Sequence, residues 1–177
     1  MEVKESIEIL QGGGPADVRA LTIALAEEML TMSGLDPKQA ERSLDDGSAL
    51  KVFAQIIEAQ GGDPGVCDDP NTLASAPNKV PYPAARSGYV SAMETTRIGM
   101  ASVALGAGRA RVDDIIDPAV GLEMATRIGD RVEAGDPLLW IHHADRGLDA
   151  ARRHLDLAFS IADEAPDCLP LLLDRID

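Results

Sequence analysis

The hydrophobic period changes once along this chain, and that change limits the folds open to it. Up to about residue 60, apolar residues recur at helical spacing. From residue 88 onward they fall into short runs and alternations of the kind that strands make. A chain patterned this way is expected to be α+β, with helices first and a strand-rich part after them. Residues 63–79, rich in Pro, Asp, Asn and Gly, read as the connection, so the boundary is expected between 74 and 75.

Several helices are predicted from local chemistry. The first covers 4–11, with Ile7 and Leu10 on one side, and Gly12-Gly13-Gly14-Pro15 breaks it. The second runs over 15–33, with Pro15 in its first turn and Gly34 as its stop. Val18, Leu21, Leu25 and Met32 form one stripe on it, while Ile23 and Leu30 fall on another side. A helix apolar on two sides expects neighbours on both. Asp36, Pro37 and Gln39 suggest a capping box opening a third helix. Ser48 is expected to cap a fourth that ends near Gln60, with Leu50, Phe53 and Ile57 facing inward.

In the second part, 88–93 and 137–142 read as strands, and Val120, Leu122 and Met124 alternate. Met100–Leu105 is a short apolar run, and 129–136 is a tight, charged turn region. A closing helix is predicted over 148–165, with Ala151, Leu155, Ala158, Phe159 and Ala162 inward. Aromatic residues are only 3% of the chain, so the core must be aliphatic.

Composition removes several functions. The net charge of −14 opposes general binding to nucleic acid or anionic membranes. No signal-peptide h-region opens the chain, and no apolar run reaches the roughly 20 residues of a membrane span. Cys67 and Cys168 stand far apart with no CxxC, as in a reducing compartment, so a cytoplasmic protein is expected.

Chemical motifs are sparse. The three glycines before the second helix have no Walker pattern, and they read as a helix-breaking loop rather than a phosphate cradle. Gly106-Ala107-Gly108-Arg109 could bring a guanidinium close to an anion, or simply form a tight turn between strands. His142 and His143 are adjacent on a strand and must point to opposite faces, while His154 lies on the last helix; all three read as strand-end or surface histidines. No zinc spacing or GxSxG occurs. The pairs Asp45-Asp46, Asp68-Asp69 and Asp113-Asp114 are expected in turns facing solvent. No catalytic residue is therefore assigned.

The run from Gly129 to Leu138, of form GDxVxxGDxL, resembles the biotinyl or lipoyl swinging-arm domain. Those domains need an acceptor lysine. None follows Lys79 here, and Glu94 stands after Met93 where such domains have lysine, so the carrier function is excluded.

A broader resemblance rests on six stretches in order: Met1-Glu2-Val3-Lys4-Glu5-Ser6-Ile7-Glu8; Gly12-Gly13-Gly14-Pro15-Ala16-Asp17; Glu58-Ala59-Gln60-Gly61-Gly62-Asp63; Ala104-Leu105-Gly106-Ala107-Gly108-Arg109; Asp117-Pro118-Ala119-Val120-Gly121; and Ile128-Gly129-Asp130-Arg131-Val132. Together they resemble the C-terminal part of the thymidine phosphorylase and pyrimidine-nucleoside phosphorylase family. The resemblance implies that residues 1–74 are the last helices of that family's α/β domain. It implies that 75–177 are its C-terminal α/β hammerhead, with a barrel-sandwich, biotinyl-like β scaffold.

The resemblance implies a pentosyltransferase reaction. Phosphate, the co-substrate, attacks the anomeric carbon of a pyrimidine nucleoside and releases the base and a pentose 1-phosphate. In the family, a lysine-histidine-serine stretch, a glycine-rich phosphate loop and the base-binding Arg, Ser and Lys lie upstream, and none of these motifs occurs here. The chain is thus expected to be a family member cut at Met1 and inactive alone. A loop containing Gly106, Gly108 and Arg109 is implied to help shut the substrate cleft. Glu5 matches a position that helps bind a monovalent cation in some members, and no other cofactor is implied. The alternatives are a subunit of a split phosphorylase, joined to an N-terminal partner or to itself through exposed helices, and a non-enzymatic scaffold or binding module.

Overall fold

The computed structural model describes residues 1–174. It is α+β, as the change of period requires. The described residues divide into two compact units, one made of residues 1–73 together with residues 170–174, the other of residues 74–169.

The first unit is helical. α1 (Glu2–Leu10), α2 (Ala16–Met32), α3 (Gln39–Asp45) and α4 (Ser48–Ala59) follow one another, and short 3-10 turns occur at Pro64–Cys67 and Pro70–Thr72. α2 ends as expected at Gly34, whose φ of +72° lets Leu35 N–H reach back to the Leu30 carbonyl at 2.9 Å. The start of α3 differs from the capping box. Asp36 accepts from Lys38 N–H at 3.1 Å and pairs with Arg42 at 3.1 Å, so it closes the turn before the helix. The start of α4 differs too. Gly47, in the left-handed region, is the N-cap, and Asp46 accepts from Ser48 N–H at 2.8 Å. The side-chain and backbone hydrogen bonds from Ser48 hold the Asp46 carboxyl below its ordinary range. Asp46 therefore does structural work in a turn, beyond facing solvent. Buried apolar side chains here are Ile7, Ile9, Leu44 and Cys67.

The second unit holds two three-stranded antiparallel sheets. One has the order β1-β5-β3, from Asn78–Pro83, Pro137–His143 and Gly121–Met124; the other has the order β4-β2-β6, from Arg131–Val132, Gly88–Met93 and Phe159–Ala162. β5 is the central strand of its sheet and is apolar on both faces. Leu139 and Ile141 pack with Ala101 and Leu105 of α5 (Thr95–Leu105) and Ala151 and Leu155 of α6 (Leu148–Leu155). Leu138 turns the other way, into a cluster with Ala84, Val90 and Val132. Tyr82 and Phe159 border both clusters, with ring centroids 6.1 Å apart.

Two readings of the sequence are corrected here. The connection over 63–79 is partly structured, because β1 begins at Asn78. Its prolines 81 and 83 are tolerated because β1 is an edge strand. The last helix stops at Leu155, and Phe159–Ala162 is a strand. Leu157 and Ala158 N–H bonds to His154 and Leu155 end the helix in a tight turn. β2 then takes Phe159–Ala162 as its second partner, with Met93 opposite Phe159 and Tyr89 opposite Ala162. Pairing with an open strand edge has overridden a local helical pattern.

Candidate functional site

α5 fixes the base of the loop that the sequence singled out. Ala101 and Leu105 bury its inner face. Gly106 ends it at φ +103°, donating to Val103 O at 3.0 Å, while Ala107 N–H donates to Ser102 O at 3.0 Å. This paired bonding is the Schellman termination, which needs the left-handed region that glycine enters freely. The Gly106 loop thus follows a helix, and the reading as a turn between strands is corrected. A Cβ on Gly108 would come within 2.9 Å of Val103 Cγ2, so the loop folds back closely on α5.

The loop from Gly106 to Asp117 is closed by backbone and carboxylate. Asp117 N–H donates to Gly106 O at 2.9 Å. Asp114 Oδ2 accepts from Ala110 N–H at 3.0 Å and Arg111 N–H at 2.8 Å. This work of Asp114 was not read from the sequence, where its pair looked like solvated turn charge. Arg109 is exposed, and the tip shows Val112 at 90% and Ile115 at 84% exposure. Arg146, also missed, runs beside Gly106: an added Cβ there would lie 3.6 Å from Arg146 Nη1.

The histidines divide as their strand positions demand. His142 Nε2 lies 2.8 Å from Glu123 Oε2, which also accepts from Lys79 Nζ at 2.7 Å, and that ammonium sits 5.0 Å from the Trp140 ring centroid. His143 is the last residue of β5, as the strand-end reading has it, but it is buried rather than at the surface. Its Nδ1 accepts from Asp145 N–H at 3.2 Å. Burial raises the Glu123 pKa, but hydrogen bonds from Lys79 and His142 more than offset this and hold it below the ordinary range. A depressed carboxylate adds stability above its unfolded pKa and loses it as pH falls through the folded value. The advantage of the wild type over Glu123→Gln is therefore expected to be larger at about pH 7 than at about pH 4, where its loss has begun. Being half exposed, the group contributes under about 1 kcal/mol. Urea midpoints of both proteins at the two pH values check this.

Glu5 is exposed on α1. Among the described residues, no three His, Cys, Asp or Glu side chains assemble into a group that could hold a metal ion. A shallow depression of ≈ 320 Å³ opens at the start of α6, lined by Asp145, Gly147, Leu148, Asp149 and Ala150. Two of its five lining residues are carboxylates, Asp145 and Asp149. No helix among the described residues is long and apolar enough to cross a membrane.

Residues 89–162, from β2 through α5 and the Gly106–Asp117 loop to the end of β6, match the pyrimidine nucleoside phosphorylase C-terminal domain family. The chain as a whole is similar to the C-terminal portion of pyrimidine-nucleoside phosphorylases. It is 37% identical over 182 residues to the pyrimidine-nucleoside phosphorylase of Staphylococcus aureus strain bovine RF122 / ET3-1, and 36% identical to that of strain USA300. Both alignments take in 99% of this chain and 42% of the relative, so the chain spans less than half the length of these curated relatives.

Proposed function

We propose that this chain supplies the C-terminal portion of a pyrimidine-nucleoside phosphorylase. The supporting observation is a similarity that runs through 99% of the chain and is met by only 42% of each relative. In the complete enzyme, phosphate attacks the anomeric carbon of a pyrimidine nucleoside, giving free base and pentose 1-phosphate. Such a displacement needs fixed positive charge around phosphate and donors toward the departing base.

This chain's part in that chemistry is closure. Gly106 and Gly108 set the path of the loop, Arg109 offers its guanidinium to the anion, and Val112 and Ile115 shed water from it. Glu5 would give one ligand to a monovalent cation whose other ligands come from outside this chain. The two sheets correspond on this reading to a barrel-sandwich scaffold within an α/β hammerhead, with residues 1–74 as the end of the preceding α/β domain. Such an enzyme works in the cytoplasm. The purified chain, incubated with phosphate and thymidine or uridine, is expected to release no base by ultraviolet absorbance. Measurable phosphorolysis by the chain alone would overturn this reading.

A further inference from the structure

We propose that His143 is a proton-operated latch for the Gly106–Asp117 loop: the neutral imidazole holds the connection 144–147 against the end of α5, and protonation releases it. The latch lies wholly within the second unit and is independent of the reaction of the complete enzyme.

His143 ends β5 on the face that it shares with Leu139 and Ile141, which pack with α5 and α6. The residue is 5% exposed. Its Nδ1 accepts from Asp145 N–H at 3.2 Å, so the proton of the neutral ring belongs to Nε2. Nε2 is buried and meets no protein hydrogen-bond partner among the described residues. The ring is therefore held by one bond, and its remaining donor faces no acceptor, which is uncommon for a buried polar group.

The one bond fixes an uncommon backbone. Asp145 is the single non-glycine residue with a positive φ among the described residues, at +60°. An L-residue enters that region at a cost that local hydrogen bonds must offset. The two residues after it press on the end of α5. Gly147 leaves no room for a Cβ beside the Ala104 carbonyl, and Arg146 Nη1 lies 3.6 Å from where a Gly106 Cβ would stand. Gly106 is the root of the loop, for its carbonyl accepts from Asp117 N–H at 2.9 Å. The imidazole, the connection and the loop root thus form one unbroken series of contacts.

Protonation turns Nδ1 into a donor and sets it against Asp145 N–H, donor facing donor. The backbone at Asp145 loses its support. Asp145 Oδ1, 3.7 Å from Nδ1, takes up the new N–H only if the connection rearranges, which also frees the Asn78 amide that it now holds at 3.2 Å. Nε2–H finds an acceptor only by reaching water, and that again requires opening. Both ring nitrogens drive the same way, so acid loosens the loop. The surroundings leave few competing charges. Asp145 is the one carboxylate within 4 Å of the ring among the described residues. Of the elements packed on this face, α5 carries Arg97, α6 carries Asp149, Arg152, Arg153 and His154, and the segment entering β3 carries Asp117. Arg146 lies in the connection itself, while Lys79, Glu123 and His142 occupy the opposite face of the sheet.

The test titrates the full ¹⁵N-labelled chain by NMR from about pH 8 to about pH 5, the range over which histidine ordinarily changes charge. The His143 ring and the amides of Asp145, Gly106 and Gly108 are expected to follow one midpoint. The Asp145 amide, corrected for intrinsic exchange, is expected to lose at least about tenfold protection at the acid end. His143→Asn keeps an oxygen acceptor for the N–H two residues ahead, as in an Asx turn, but takes up no proton, so its loop amides are expected to stay still. Near-ultraviolet dichroism of Trp140 verifies that this variant folds, and the wild-type midpoints decide by themselves if it does not. Arg146→Gln is expected to leave the Asp145 response in place and to cut the response of Gly106 and Gly108 by at least about threefold. A ring that does not titrate in this range, loop amides that ignore its titration, or loop amides that titrate equally in His143→Asn overturns the proposal. An undiminished response in Arg146→Gln overturns the route through the connection.

Discussion

Gly147→Ala is expected to destabilise the second unit by at least about 3 kcal/mol, an unusually large effect for one methyl group. Gly147 sits at φ +71° at the start of α6. Its ideal Cβ would lie 1.9 Å from the Ala104 carbonyl oxygen and 2.7 Å from its carbon. Backbone cannot rotate away as a flexible side chain can, so α5 and α6 must separate. Their separation opens the core shared by Ala101, Leu105, Ala151 and Leu155. Gly135→Ala provides the comparison. It has a similar positive φ of +96° but nothing within 4 Å of the added carbon, so it pays only conformational strain of about 1 kcal/mol. Hydrogen exchange of the β5 amides measures both. Equal protection in the two variants would show that the helix contact is looser than described.

The second large effect is expected from Leu139→Ala, at about 3 kcal/mol. Leu139 is fully buried on the central strand, between the Tyr82 and Met124 positions of its two neighbours. Removing its branched end leaves a cavity beneath both helices, which are tied to each other and cannot collapse into it freely. Met32→Ala removes as many apolar atoms from a solvated position, and it should change stability by less than about 0.5 kcal/mol in the unassembled chain. Urea denaturation of the two variants checks the contrast. A similar loss from both would place Met32 in a core.

The elements that the sequence predicted well are those whose signals were local and mutually consistent. α2 and α4 each combine a helical stripe with a glycine stop, and β5 is an uninterrupted apolar run. Apart from the starts of α3 and α4, where Asp36 and Asp46 bond two residues ahead, the failures share one physical cause: partners distant in sequence. The first residues of β1, Asn78 and Lys79, look like the end of a linker because their pairing with His143 and His142 lies more than sixty residues away. Phe159–Ala162 continues a helical pattern begun at Ala151, and only the unpaired edge of β2 makes it a strand. At the candidate site, the Gly106–Arg109 cluster could be found by composition alone. Asp114 and Arg146 could not, since their work depends on a loop that closes on itself and on a second loop that passes beside it. His143 illustrates the same limit, because alternation fixes its face but not whether anything covers that face.

The placement of Trp140 under the Lys79 ammonium has a spectroscopic consequence. It is the only tryptophan of the chain, and both tyrosines, Tyr82 and Tyr89, lie in the same unit. Residues 1–73 hold a single aromatic side chain, Phe53, which hardly absorbs above the peptide bands. Intrinsic emission and near-ultraviolet dichroism therefore watch the sheets alone. The four N-terminal helices could melt without altering either signal, and a single sharp fluorescence transition would describe one half of the molecule. Only the far-ultraviolet amide bands see both halves, and a mismatch between the two optical windows would be the signature of helices that melt independently of the sheets.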